Sequence, residues 1–173
     1  GLFNAESLIV ATGGLSIPPL GATGFGYDVA KQFGLRVVTP APGLVPLTFS
    51  ANEWQPYAEL SGVSIAAEVQ CQRTVFRENI LLTHRGVSGP AILQISSYWK
   101  PGQALNIDLL PDSDIEAYLQ QHQRSDQLLS NILAEYLPKR FTQIWCDKNN
   151  FNVPVKQLNI KTLQHIAQSL HNW

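Results

Sequence analysis

Apolar residues fall into three successive patterns along the chain. The first is an unbroken run over residues 7–12, Ser-Leu-Ile-Val-Ala-Thr, closed by Gly13-Gly14. A continuous apolar run of this length predicts a strand covered on both faces, as in a parallel sheet. A loop rich in glycine and proline follows up to Gly26. Its prolines stop regular structure, and its glycines allow a backbone to come close to a ligand. Residues 27–33 read as a short helix with Val29, Ala30 and Phe33 on one side, ended by Gly34. Residues 35–39 return as a strand, giving a strand, loop, helix, strand unit of the doubly wound kind.

The second pattern begins near Val45, where short apolar stretches alternate with polar turns: 44–49, 63–71, 74–76, 79–83 and 104–109. Val63, Ile65, Ala67, Val69 and Cys71 alternate with Ser64, Ala66, Glu68 and Gln70, the period of two of a half-buried strand. An antiparallel, barrel-like region is expected. The loop 83–90 leads into a helix over 91–98, with Ser88 or Gly89 before Pro90 as its start. The third pattern is helical. Leu128, Leu129, Ile132, Leu133, Tyr136 and Leu137 recur at steps of three and four before Pro138, predicting a helix over 125–136. Asp112-Ser113-Asp114 marks a start for 115–121, and Leu163, Ile166, Ala167 and Leu170 give an amphipathic helix over 158–170. Such stripes are core rather than ligand sites. The expected fold class is α+β, in three parts: a partial strand-loop-helix-strand over 1–43, a barrel-like insert over 44–110 and a helical part over 111–173.

Composition narrows the partners. With 173 residues, 45% hydrophobic and 14% charged, the chain has ample material for a core. Twelve Lys+Arg against thirteen Asp+Glu leave a net charge of -1, and Lys139-Arg140 is the only basic cluster. Without concentrated positive charge or a strand bearing both basic and aromatic residues, no nucleic-acid partner is expected. No apolar run reaches about 18 residues and no leader is visible, so no membrane partner is expected and the location reads as cytoplasmic. Cys71 and Cys146 stand far apart with no ligand spacing around them. They read as free thiols of a reducing compartment, with no metal site. Methionine is absent even at position 1, so Gly1 reads as a cut rather than a translation start.

The candidate chemistry is sparse. Gly24-Phe25-Gly26-Tyr27-Asp28-Val29 supplies the first two glycines of a dinucleotide fingerprint, but Val29 fills the third place. No Gly-Lys-Ser/Thr follows either, which excludes a Walker loop. Composition leaves open whether this loop meets a ligand or only connects elements. His84 is the sharpest candidate elsewhere, in a polar loop beside Arg85. Proton transfer is one role for it, and capping or an interdomain contact is the plainer one. Arg85 can fork onto a phosphate or carboxylate, with a surface ion pair as the plainer reading. His122, His165 and His171 read as solvated or edge residues. Trp145 and Trp173 read as hydrophobic anchors or as a partner surface.

Two stretches carry a resemblance. One runs Leu8-Ile9-Val10-Ala11-Thr12-Gly13-Gly14-Leu15-Ser16-Ile17-Pro18, through Leu20-Gly21-Ala22-Thr23-Gly24-Phe25-Gly26-Tyr27 and Gly34-Leu35, to Leu44-Val45-Pro46-Leu47. The other runs from Leu82-Thr83-His84-Arg85-Gly86-Val87-Ser88-Gly89-Pro90 through Ala91 to Ser97. In this order they resemble the HI0933-like family of FAD-dependent oxidoreductases, over essentially the whole chain though only generally after Leu110. The resemblance implies a flavoprotein whose Rossmann-like FAD domain is interrupted by an insert with a barrel-like and a helical part. The family's Ala-Thr-Gly strand end approaches the cofactor, and here it maps onto Ala11, Thr12 and Gly13, with Gly14 beside it. Ligands sit at the carboxyl ends of parallel strands in such sheets. Ser16, Thr23 and Gly24 extend the same crevice, while for Thr12 a plain strand-terminating hydrogen bond is the alternative.

The family's N-terminal G-x-G-x-x-G and its closing C-terminal segment are not among these residues, so the chain alone is expected to bind FAD weakly or not at all. In the intact protein FAD carries the electrons, reduced nicotinamide, NAD(P)H, is the candidate donor, and the substrate is an unidentified small molecule. The remainder of the FAD domain is then the obligatory partner, and this chain supplies one side of the flavin crevice and a covering insert. The competing reading is a non-catalytic interaction module of barrel and helices. Unpaired strand edges in 1–43 point to self-association as well.

Overall fold

The glycine-rich beginning and the alternating region behave differently. In the computed structural model, which describes residues 1–173, the chain divides into two units, Gly1–Pro42 and Gly43–Trp173. The first holds a helical turn at Pro18–Leu20 and one helix, α1 (Phe25–Gln32), which ends as Gly34 takes a φ of 75° and its N–H donates to the Lys31 carbonyl at 2.9 Å. The strands expected at 7–12 and 35–39 do not form, and none of these residues is buried. Leu8 and Ile9 are 84% and 87% exposed. A run with two apolar faces becomes a strand only when neighbours pair its backbone and cover both faces. Gly1–Pro42 contains no second strand to do either.

In Gly43–Trp173 the predicted alternation produces one antiparallel sheet of β1 (Leu47–Thr48), β2 (Ser64–Cys71), β3 (Thr74–Thr83), β4 (Gly86–Ser88) and β5 (Asn106–Asp108), in the order β1-β4-β3-β2-β5. β2 pairs with β3 along the whole of β2, from Ser64 opposite Leu81 to Cys71 opposite Thr74. The two stretches expected at 74–76 and 79–83 are therefore one strand, because Arg77 and Glu78 between them keep the ladder with Glu68 and Ala67. Ile65, Ala67, Val69 and Cys71 point inward and meet Ile80 and Leu82 of β3.

Helices share that core. Ahead of β2 come α2 (Ala51–Trp54) and a 3-10 stretch (Gln55–Leu60). α3 (Pro90–Ser96) packs Ala91, Ile92 and Ile95 inward, and α4 (Ile115–Gln121) is capped by Asp114, whose carboxylate accepts from the Ala117 N–H at 3.0 Å. The helix expected over 125–136 shrinks to α5 (Leu129–Leu133). Residues 125–128 pair with a distant segment instead: Leu128 bridges Pro154, and the Val155 N–H donates to the Gln127 carbonyl at 3.0 Å. Tertiary pairing overrides helical periodicity there. Then α6 (Lys139–Lys148), not expected from the periodicity reading, buries Phe141, Trp145 and Cys146. α7 (Ile160–His171) is capped by Asn159 and buries the expected Leu163, Ile166, Ala167 and Leu170. Burial of a Leu or Ile side chain is worth about 1.5–3 kcal/mol, so this stripe alone anchors α7.

Candidate functional site

Within Gly1–Pro42 the cofactor candidates Thr12 and Gly14 lie beside the first turn of α1. A Cβ placed on Gly26 meets the Thr12 hydroxyl at 3.3 Å and Val10 at 3.9 Å, one on Gly14 meets the Tyr27 hydroxyl at 3.4 Å, and one on Gly24 meets Leu15 at 3.9 Å. The segment Thr12–Gly14 thus lies against the first turn of α1, with Gly24 at the helix's cap position. Thr23 lies one position earlier, and its hydroxyl accepts from the Phe25 N–H at a long 3.4 Å. Ser16 is exposed and makes no hydrogen bond that would draw it into the group. Small residues line this helix start, whose dipole favours an anionic group, while the Asp28 carboxylate, 4.0 Å from the Cβ position of Gly24, opposes one.

A second arrangement lies at one end of the sheet. β3 turns into β4 through His84 and Arg85, and the Thr83 hydroxyl donates to the Gly86 carbonyl across the turn at 2.9 Å. Gly86 lies under β1: a Cβ there would sit 2.1 Å from the Leu47 carbonyl oxygen. Gly89, at φ 92°, would place one 2.7 Å from the Asn79 carbonyl oxygen. His84 caps no helix, since α3 starts from Gly89, and it is exposed. Arg85 makes no ion pair; the side-chain pairs of this chain are Lys31–Asp28, Arg77–Asp112, Lys156–Asp126 and His171–Asp108. Both plain readings of this dipeptide within the fold, a cap and a surface ion pair, are therefore corrected.

Beside that turn the Phe49 N–H donates to the Arg85 carbonyl at 3.1 Å. Phe49 stacks on buried Trp54, centroids 4.7 Å apart and planes 10° off parallel, and the Trp54 indole N–H donates to the Thr83 carbonyl at 2.7 Å. Trp54, Tyr57, Phe141 and Trp173 continue the aromatic group inward. Trp145 is thus an anchor of the core, and partly buried Trp173 packs against it. The sequence reading missed Phe49 and Trp54; an aromatic five residues from another, flanking a predicted strand, was the available signal.

Elsewhere His171 is not a solvated edge residue, because its Nδ1 lies 2.9 Å from Asp108, whose carboxylate also accepts from the Leu110 N–H at 2.8 Å. A groove of about 480 Å³ runs beside β2 and β3, but Arg77 and Asp112 pair across it. Cys71 and Cys146 are free and buried, and burial pushes the Cys146 thiol up to about 12. That suppresses the thiolate a nucleophile needs.

A five-stranded antiparallel sheet sharing one core with a helical part defines a barrel-and-helix insert domain of the α+β class. Residues 41–173 match the family model described as "HI0933-like protein barrel and H2TH domain", and the chain belongs to that family. It is 46% identical over 172 residues to the ribosomal RNA dihydrouridine synthase of Escherichia coli K12, covering 97% of this chain and 43% of the relative. It is 38% identical over 176 residues to the protein of the same name from Haemophilus influenzae, covering 99% of this chain and again 43% of the relative. The chain therefore spans less than half the length of these relatives.

These names overturn the exclusion of nucleic acid drawn from charge. A net charge of -1 is a sum over the chain and is silent on where single cations are placed. Unpaired RNA bases are recognised largely by stacking on aromatic or guanidinium planes and by hydrogen bonds to their edges, which need no net positive charge of the chain.

Proposed function

We propose that this chain is part of a flavin-dependent ribosomal RNA dihydrouridine synthase. The observation that carries the reading is the 46% identity over 97% of the chain to the Escherichia coli enzyme of that name. Conversion of uridine to dihydrouridine saturates one carbon–carbon double bond of the base, taking up two electrons and two protons. A bound flavin supplies hydride chemistry of this kind, with FAD as the cofactor and NAD(P)H as the reductant that recharges it. Ala11, Thr12, Gly13, Gly14 and Gly24 would hold its nucleotide part, with Ser16 and Thr23 at the margin. In support, a Cβ on Gly26 would lie 3.3 Å from the Thr12 hydroxyl and one on Gly14 would lie 3.4 Å from the Tyr27 hydroxyl, so both candidates pack against the first turn of α1. The substrate is a uridine in RNA rather than a free small molecule, and a protein acting on ribosomal RNA would work in the cytoplasm.

The test is reconstitution. The natural full-length protein, purified and incubated with NADH or NADPH and ribosomal RNA from cells lacking the modification, should show flavin absorbance and form dihydrouridine detectable by nucleoside mass spectrometry. A flavin-free protein that leaves the RNA unchanged contradicts the reading.

A further inference from the structure

The stretch Thr83 to Pro90 has no task in the proposed flavin site, and the fold explains most of it. Thr83 closes the turn through its hydroxyl, Gly86 and Gly89 lie where neighbouring backbone passes too close for a Cβ, Val87 is buried, and Pro90 opens α3. His84 and Arg85 remain. Both are exposed at the tip of the hairpin, and neither side chain has a hydrogen-bond or carboxylate partner. Turn tips are ordinarily built from Gly, Asn, Asp or Ser, so a His-Arg tip is not explained by turn chemistry.

Phe49 is the second half of the arrangement. Its N–H donates to the Arg85 carbonyl, the residue is 47% exposed, and one face of its ring rests on Trp54. Trp54 is itself fixed by its bond to Thr83. A ring backed by a rigid buried aromatic and open on its other face is an ordered platform for another planar group. Glu53, the acidic residue of α2, accepts from the Ser50 hydroxyl at 2.5 Å, and no carboxylate pairs with Arg85.

We infer that Phe49 and Arg85, with His84 beside them, form a contact site for an unpaired nucleotide of RNA. The base stacks on the open face of Phe49, and Arg85 forks onto the adjoining phosphate. The inference rests on the reading of the chain as part of an enzyme acting on ribosomal RNA, and it assigns that reading a surface. Paired bases keep their own stacking partners, so the site selects single strands or bases swung out of a helix.

The test is fluorescence anisotropy of the 173-residue chain with a labelled single-stranded oligouridine, and with an RNA duplex of equal length. Phe49→Leu keeps apolar bulk against Trp54 but removes the π face, and it should weaken single-strand binding on the order of tenfold, while Phe49→Tyr binds as the parent does. Arg85→Ala should weaken binding and lower the slope of log affinity against log salt by about one. The inference is overturned if the parent binds no single strand, if it prefers the duplex, or if Phe49→Leu and Arg85→Ala bind as the parent. Unchanged RNA binding together with a loss of stability in the natural full-length protein would make this face a protein contact instead. Dihydrouridine formation is scored separately: its presence beside unchanged binding sinks the site alone, and its absence sinks the enzymatic reading whatever the binding ratios show.

Discussion

Replacing Gly86 by alanine should detach β1 from the sheet without unfolding the rest. The added Cβ would lie 2.1 Å from the Leu47 carbonyl oxygen and 2.8 Å from the Thr48 Cα, where real Cβ atoms stay beyond 3.0 Å. The strands must therefore part by about 0.9 Å at the first contact, and both obstacles are backbone, which cannot rotate away as a side chain could. Overpacking of this kind costs about 1–3 kcal/mol where the structure yields and more where it cannot. The penalty is capped by the alternative of releasing β1. Release loses the pairing of Leu47 with Val87 and Thr48 with Gly86 and the bond from Phe49 to Arg85, at about 1 kcal/mol for each hydrogen bond. It also loses the Phe49–Trp54 stack, about 0.5–1.5 kcal/mol. The expected loss is then about 2–4 kcal/mol. Urea unfolding followed by tryptophan fluorescence measures it, and the native emission of Trp54 should shift as Phe49 leaves. Gly62→Ala is the control, since a Cβ there meets nothing within 4 Å and only its φ of 90° opposes it. A Gly86→Ala protein within about 0.5 kcal/mol of the parent, with unaltered emission, refutes the reasoning.

Other consequences can be checked with the same material. Phe141→Ala empties a fully buried position against Tyr57 and Trp173, so it should cost about 3–5 kcal/mol and lower the urea midpoint of sheet and helices together, because they share one core; separate transitions would contradict the shared core. Burial raises the Cys146 thiol from 9.0 to about 12, with the charge of Asp147 adding to it. The neutral thiol is thus favoured by folding, so its contribution is complete below pH 9 and is lost as the pH rises toward 12. Cys146→Ala should accordingly flatten the decline of stability across that window, and both native cysteines should resist thiol reagents until the chain unfolds; a parallel decline in the two proteins sinks the argument. Gly26→Val, whose side chain would enter the 3.3 Å space before the Thr12 hydroxyl, should lower the flavin content of the natural full-length protein at unchanged yield. Full flavin occupancy in that variant removes Thr12 and α1 from the cofactor site.

The alternation at 63–71 was legible because one face of β2 meets the core and the other meets solvent, and burial follows the sequence residue by residue. The caps at Asp114 and Asn159 and the stripe of α7 were equally readable, since each depends on side chains close in sequence. What failed depended on distant partners. Residues 7–12 need strands on both sides, and Gly1–Pro42 holds none. Residues 125–128 have helical spacing but are claimed by residues 153–155. α6 could have been found from Phe141 and Trp145, four apart behind Pro138. The pairing of Phe49 with Arg85 could not, because only the crossing of β1 over Gly86 joins residues so far apart in sequence.

The central claim is tested most directly in cells. An Escherichia coli strain deleted for its own ribosomal RNA dihydrouridine synthase would receive the natural full-length protein, and the dihydrouridine content of its ribosomal RNA would be measured by mass spectrometry. The account predicts that the modification returns to the level of the parent strain; a well-expressed, soluble protein that restores none of it would contradict the account.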